Sequence, residues 1–248
     1  MKKLFSWQAG LSIFLIALSG LLYFLHFKIF HDAHHIFIYF LGDLAFIPIE
    51  VLLVTLVIHH LLDMREKRAM LNKLNMVVGA FYSEAGTQMI KDISGADPQS
   101  AKISGLLLVR KEWQHKEFLK VSGEIKAIRP QVNISGCDLG ALRDFLKQKR
   151  EFFLRLLENP NLLEHETFTE LLWAVFHLTE ELVNRPTLKG LPQSDYDHLS
   201  NDISRAYGLL ISEWLAYIEH LNVSYPYLFS LAVRTNPFDS KASVVIKS

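Results

Sequence analysis

Asp43 and Glu50 stand in the stretch GDLAFIPIE, inside an apolar run from Ile36 to Leu62. Seven residues are close to two helical turns, so a helix puts both carboxylates on nearly one face. An acid in hydrocarbon is costly and as a rule faces a partner helix, a cavity or a pore. Three chemistries fit this placement. The stripe can hydrogen-bond to a neighbour and hold a hairpin or an oligomer together, at about 0.6–2 kcal/mol per contact. Several copies can stack a ring of Asp43 above a ring of Glu50, which concentrates and dehydrates cations. Glu50 can also carry protons.

The span before it runs from Leu11 to Phe30 (LSIFLIALSGLLYFLHFKIF) and has its own polar stripe, Ser12, Ser19 and His26, again at a spacing of seven. A turn centred near His34 and His35 would set His26 level with Asp43 and Ser19 level with Glu50. The predicted ion pathway is therefore Asp43, Glu50, His26 and Ser19. Pro48 removes one backbone hydrogen bond between the two acids, and with Gly42 it makes a predicted hinge. At the outer end, His31, Asp32, His34 and His35 (HDAHH) supply imidazole and carboxylate groups suited to zinc, copper or nickel. They lack a defined site spacing, and simple solvation at the membrane interface is the competing role.

Both apolar runs reach the roughly 20 residues that a membrane span needs. Met1-Lys2-Lys3 before the first run has the layout of a secretory signal. No small-x-small cleavage site closes that run, however, and Tyr23, Phe24 and Phe27 occupy the place for one, so a retained span is expected. Lys2 and Lys3 precede the hairpin and Arg65, Lys67 and Arg68 follow it. The positive-inside rule then predicts a multi-pass protein of the inner (cytoplasmic) membrane with both termini cytoplasmic. Arg65, Lys67 and Arg68 are the expected lipid-headgroup contacts, each contributing about 1 kcal/mol on an anionic surface.

The 248 residues carry 26 basic and 26 acidic side chains, which gives no basic surface for nucleic acid. One cysteine, Cys137, excludes an internal disulfide and a paired-cysteine metal site. The predicted organisation is a transmembrane hairpin over 1–62 and a helical stalk continuing the second span over 63–96. A cytoplasmic helical domain then covers 97–238, with a disordered tail over 239–248. Asp97-Pro98 reads as a helix start, with helices over 98–110 and 113–127 and a linker over 131–136. Asp138 opens an amphipathic helix to Glu158, with Leu142, Phe145, Leu146, Phe152, Phe153, Leu156 and Leu157 as its apolar set. Thr167 to Glu170 has capping-box spacing and starts a helix to Asn184. A long helix from Asp195 to Leu221 and a short one from Pro226 follow. Almost nothing reads as strand, so the predicted fold class is all-α: a two-helix transmembrane hairpin followed by a helical bundle.

Glu170 and His177, and Glu213 and His220, are each seven apart, about two helical turns, which is too far for both to bind one ion easily. A di-metal carboxylate bundle would want Glu-x-x-His pairs, which these helices do not carry, and Walker A, GxGxxG, HExxH and GxSxG motifs are missing from the sequence. No enzyme and no cofactor is expected. Trp173, Phe176, Trp214 and Tyr217 fall at helical spacing and read as core packing.

Three stretches carry a resemblance: YPYLFSLAVRTNPF (225–238), LLWAVFHLTEEL (171–182) and the hairpin GDLAFIPIEVLLVTLVIHHLL. Together they resemble a family of uncharacterised prokaryotic two-span membrane proteins with a helical cytoplasmic domain. The resemblance covers most of the chain. It implies that layout and no activity. The expectation is a homo-oligomeric membrane protein, a cation channel or transporter regulated by its helical domain, with lipid, cations and its own copies as partners. The competing expectation is a non-conducting anchor whose helical domain binds a protein.

Overall fold

The computed structural model describes residues 2–245; within it, the side chains of residues 2–6, 8, 68, 69, 71 and 163 are outside the description. The chain divides into two units, Met1–Glu66 and Lys67–Ser248. Among the described residues every regular element is helical.

In the first unit, α1 runs Lys2–Phe30 and α2 begins at Ala33 and continues to Phe81 in the second. Each contains a stretch long and apolar enough to cross a membrane. The turn is shorter and earlier than the sequence predicts. His31 takes a left-handed φ of 52° and donates its N–H to the Phe27 carbonyl at 2.8 Å, closing α1. Asp32 then caps α2, its Oδ1 accepting the His35 N–H at 3.1 Å. The capping carboxylate draws HDAHH into the helix start. The break between α1 and α2 therefore falls at His31 and Asp32 rather than near His34 and His35, where the predicted depth pairing centred it. The helix runs unbroken through Gly42 and Pro48.

The second unit is built around α8 (Gln193–Ser224), which packs against α3 (Thr87–Ser94), α5 (His115–Ile128), α7 (Glu166–Asn184) and α9 (Pro226–Arg234). Being covered on several sides, α8 buries more than one stripe: Leu199, Ile203, Tyr207, Leu210, Trp214 and Ile218 are all nearly inaccessible. The remaining helices are α4 (Ser100–Leu106) and α6 (Leu139–Leu157), the latter packed on α7.

The predicted stalk is not free-standing. Leu74, Val78, Phe81, Tyr82, Ala85, Met89 and Ile93 form a stripe at helical spacing, and all are buried in this core. Phe81 meets the rings of Phe153 and Phe168, and Tyr82 donates its hydroxyl to the Leu210 carbonyl at 2.8 Å. A π-helical turn, Tyr82–Gly86, joins α2 to α3; a Cβ on Gly86 would come within 2.7 Å of Phe81 and closer to Tyr82. That crowding explains the glycine.

Local boundaries follow their caps. Asp138 accepts the Ala141 N–H at 3.0 Å and opens α6 as predicted. The Thr167 capping box does not form, because the His165 ring accepts the Phe168 N–H and starts α7 earlier, at Glu166. The predicted linker 131–136 is pinned instead: Val132 donates to Ser204 Oγ at 2.8 Å, and Asn133 to the Ala96 carbonyl at 2.8 Å. The segment after Asp239 turns back, with the Ser243 N–H on the Arg234 carbonyl at 2.8 Å; residues 246–248 of the predicted tail are outside the described residues. Trp173, expected in the core, is exposed, whereas Trp214 is buried against Phe238.

Candidate functional site

The hairpin presents its predicted pathway without closing it. From Leu11 to Leu62 every side chain is exposed except His26 and Ile36, which are half-buried. Asp43, Glu50 and Ser19 are exposed, and among the described residues none of them makes a hydrogen bond or ion pair within the chain. His26 does not meet Asp43; its ring stacks on His35, centroids 5.7 Å apart and planes 16° from parallel. The two polar stripes therefore do not satisfy one another inside one chain. The outer residues also fail to gather as metal ligands. The Asp32 carboxylate is engaged as the α2 cap, and His35 lies between His26 and Tyr39. Arg65 and Lys67 are exposed, while the Arg68 side chain lies outside the described residues.

A second concentration of ionisable groups lies on the seam between α7 and α8. The helices run antiparallel there, and three rungs pair in register. His177 faces Asp202 (Nε2 to Oδ2, 3.2 Å), Glu181 faces His198 (Oε2 to Nε2, 3.7 Å), and Arg185 holds Asp195 (Nη2 to Oδ1, 2.7 Å). Arg185 also reaches back to Glu181, one turn earlier on its own helix. Its guanidinium keeps the carboxyls of Glu181 and Asp195 below the ordinary carboxylate range, chiefly through these hydrogen bonds. Burial disfavours the charged form in both, and the arginine outweighs it. Asp202 is buried among Leu199, Ile203 and Ala206, and its Oδ2 has no hydrogen-bond partner. A buried carboxylate oxygen left so costs about 1–3 kcal/mol or more unless something else satisfies it.

The seven-residue spacing of Glu170 and His177 is not the one that builds this seam. Glu170 is exposed and apart from the seam, and the effective spacing is four: His177 to Glu181 on α7 and His198 to Asp202 on α8. Two His-x-x-x-acid pairs in consecutive helices are the signal that would have found them. Glu213 is buried near the Tyr82 hydroxyl, and His220 packs on Tyr225 with its pKa lowered by burial. These two do not meet as a pair. Cys137 lines a cleft with Asp138, Arg143 and Tyr196, but burial pushes its thiol up to about 11. A thiol held protonated is a poor nucleophile at neutral pH.

Comparison with known proteins matches the same two parts. A family model described as "MJ1433, N-terminal helical domain" covers residues 2–62, and one described as "Uncharacterized protein MJ1433, C-terminal helical domain" covers 70–234. The chain is 48% identical over 235 residues to an uncharacterised Methanocaldococcus jannaschii protein, spanning 95% of this chain and 94% of that one. No solved structure matches it.

Proposed function

The chain belongs to the MJ1433 family, an N-terminal helical domain followed by a C-terminal one, and on that premise we propose that it is an integral membrane protein whose two-span hairpin self-associates and passes cations along the face bearing Asp43 and Glu50. One observation carries this reading: two acids seven residues apart on an apolar helix are exposed and, among the described residues, have no partner within their own chain. A charge at the bilayer centre costs about 2.5–3.5 kcal/mol even by the lenient insertion scale, so lipid is a poor surrounding for both. Further copies of α2 supply what α1 does not, namely a polar axis shared by several carboxylates. Lys2, Lys3, Arg65, Lys67 and Arg68 favour an arrangement with both ends of the hairpin on the cytoplasmic side. The second unit would lie in that compartment, where it assembles or gates the hairpin.

The copy number in lipid nanodiscs tests the association. The wild-type protein is expected as a defined oligomer, and Leu52→Ala, on the same span, should keep it. A monomer under conditions that preserve helicity would refute the shared axis.

A second reading, a non-conducting anchor for a partner-binding domain, is favoured by a different feature. Tyr227, Leu228 and Leu231 of α9 and Val223 of α8 are exposed apolar side chains close together along the chain. That reading needs no oligomer and tolerates Glu50→Gln.

A further inference from the structure

Three ligand-type atoms converge on the seam of α7 and α8. Nε2 of His177, Nε2 of His198 and a carboxylate oxygen of Asp202 lie within 4.8 Å of one another. Asp202 Oδ2 is 3.2 Å from the first nitrogen and 3.3 Å from the second. At those separations an imidazolium pair would aim its N–H at the oxygen. Neither ring does so: Oδ2 makes no hydrogen bond, although the Asp202 side chain is only 5% exposed. The three atoms share a neighbourhood without bonding to one another.

The geometry points to a binding site for one zinc-class divalent transition-metal ion, with His177, His198 and Asp202 as its protein ligands. A tetrahedral ion with bonds of about 2.0–2.1 Å sets its ligand atoms roughly 3.3 Å apart. The two nitrogen–oxygen separations, 3.2 and 3.3 Å, fit that edge. An ion would satisfy the buried oxygen that the histidines leave unpartnered.

The elements hold this set in place. His198 and Asp202 are one turn apart on α8 and so share a face, and His177 approaches from the antiparallel α7. Neighbouring Leu178, Leu199 and Ile203 are fully buried and fix both helices. Each histidine is about half exposed (48% and 50%), so solvent reaches the ring nitrogens and a fourth position stays open. Glu181 sits alongside, Oε1 3.8 Å from His177 and Oε2 3.7 Å from His198, with Arg185 holding the same carboxylate. It is a positioning residue rather than a ligand. Arg205, 3.9 Å from Asp202 Oδ1, approaches the other oxygen and leaves Oδ2 to the site. Two imidazoles and one carboxylate suit zinc, cobalt, nickel or copper, whereas magnesium and calcium favour all-oxygen shells. A bound ion would tie α7 to α8.

The test uses the full-length chain, purified without a polyhistidine tag, stripped with a chelator and titrated with cobalt(II). One cobalt per chain is expected, with the visible spectrum of a four-coordinate site, displaced by zinc and not by magnesium. His198→Ala and Asp202→Asn should each weaken binding by at least about 100-fold, the upper end of what losing an outer-shell partner costs. Replacing His31, His34 and His35 together should leave binding unchanged. Helix content by circular dichroism accompanies every variant, and His177→Gln, at a half-exposed position, replaces any that fails to fold. Three results would overturn the site: no cobalt spectrum from the folded wild-type protein, undiminished binding in folded Asp202→Asn and His177→Gln, or loss of binding in the triple variant.

Discussion

Glu50 and Asp202 are both acids carried on helices rich in apolar residues, and the two units surround them differently. Asp202 sits in a packed seam where two histidines, one from each helix, and Arg205 lie within 4 Å. Among the described residues neither Glu50 nor Asp43, seven residues before it, has a hydrogen-bond or ion-pair partner in the chain. The difference runs through every neighbouring residue. Around Asp202 the apolar side chains are buried, whereas around Glu50 they are all exposed. The second unit buries an apolar core of its own, whereas the described apolar side chains of α1 and of α2 as far as Leu62 are exposed, half-buried Ile36 excepted. In hydrocarbon an exposed leucine is already satisfied, so the only groups of α2 that still require a neighbour are the polar ones. On the proposed reading, two carboxylates would specify the assembly of such a segment, where a water-exposed surface would need a large apolar patch.

This contrast can be broken at its strong end first. Phe153 is fully buried and packs on Phe81 and Phe152. Phe153→Ala should destabilise the second unit by about 3–5 kcal/mol, through lost burial and the cavity left behind. The measurement is denaturant unfolding followed by the fluorescence of buried Trp214. Leu52→Ala, at an exposed position of α2, should leave that transition where it was. Equal effects from the two would erase the distinction between the units.

A smaller effect sharpens the contrast from the electrostatic side. Arg185 depresses the pKa values of Glu181 and Asp195, so the folded state binds their protons more weakly than the unfolded chain does. Their contribution is therefore fully present above the unfolded carboxylate values, about 4. It is lost as pH falls through the lower folded values. The wild-type second unit should lose stability on acidification below about pH 4. Arg185→Ala should flatten that dependence and lower the unfolding midpoint at neutral pH. Unfolding midpoints of both proteins measured between neutral and strongly acidic pH decide it.

Where one local signal sets an element, the sequence was enough to find it. Asp138 and Pro226 mark helix starts that the structure keeps, and the apolar spacing of α6 marks its buried face. The errors arise where two local signals compete. Asp32 and Thr167 are both plausible caps; Asp32 wins its place and shortens the turn, while Thr167 loses to His165. The extension of the core back to Leu74 was missed because the stretch after the span reads equally well as a solvated amphipathic helix. The α7–α8 seam could not be assembled before the register of those helices was known. His177, Glu181, His198 and Asp202 are ordinary surface residues until an antiparallel pairing sets them opposite each other. The acids of the hairpin were legible from the outset, since an ionisable group in an apolar run stands out without any tertiary information.

The central claim is that Asp43 and Glu50 of several copies line one path. Cation flux into liposomes, with wild type beside Glu50→Gln and Asp43→Asn and copy number determined on the same samples, tests it most directly. The account predicts flux in the wild type that falls at least about tenfold in each variant while the oligomer persists, as removal of a ring of charge should produce. Flux unchanged by both substitutions, or a wild-type protein that is monomeric in the same liposomes, would contradict it.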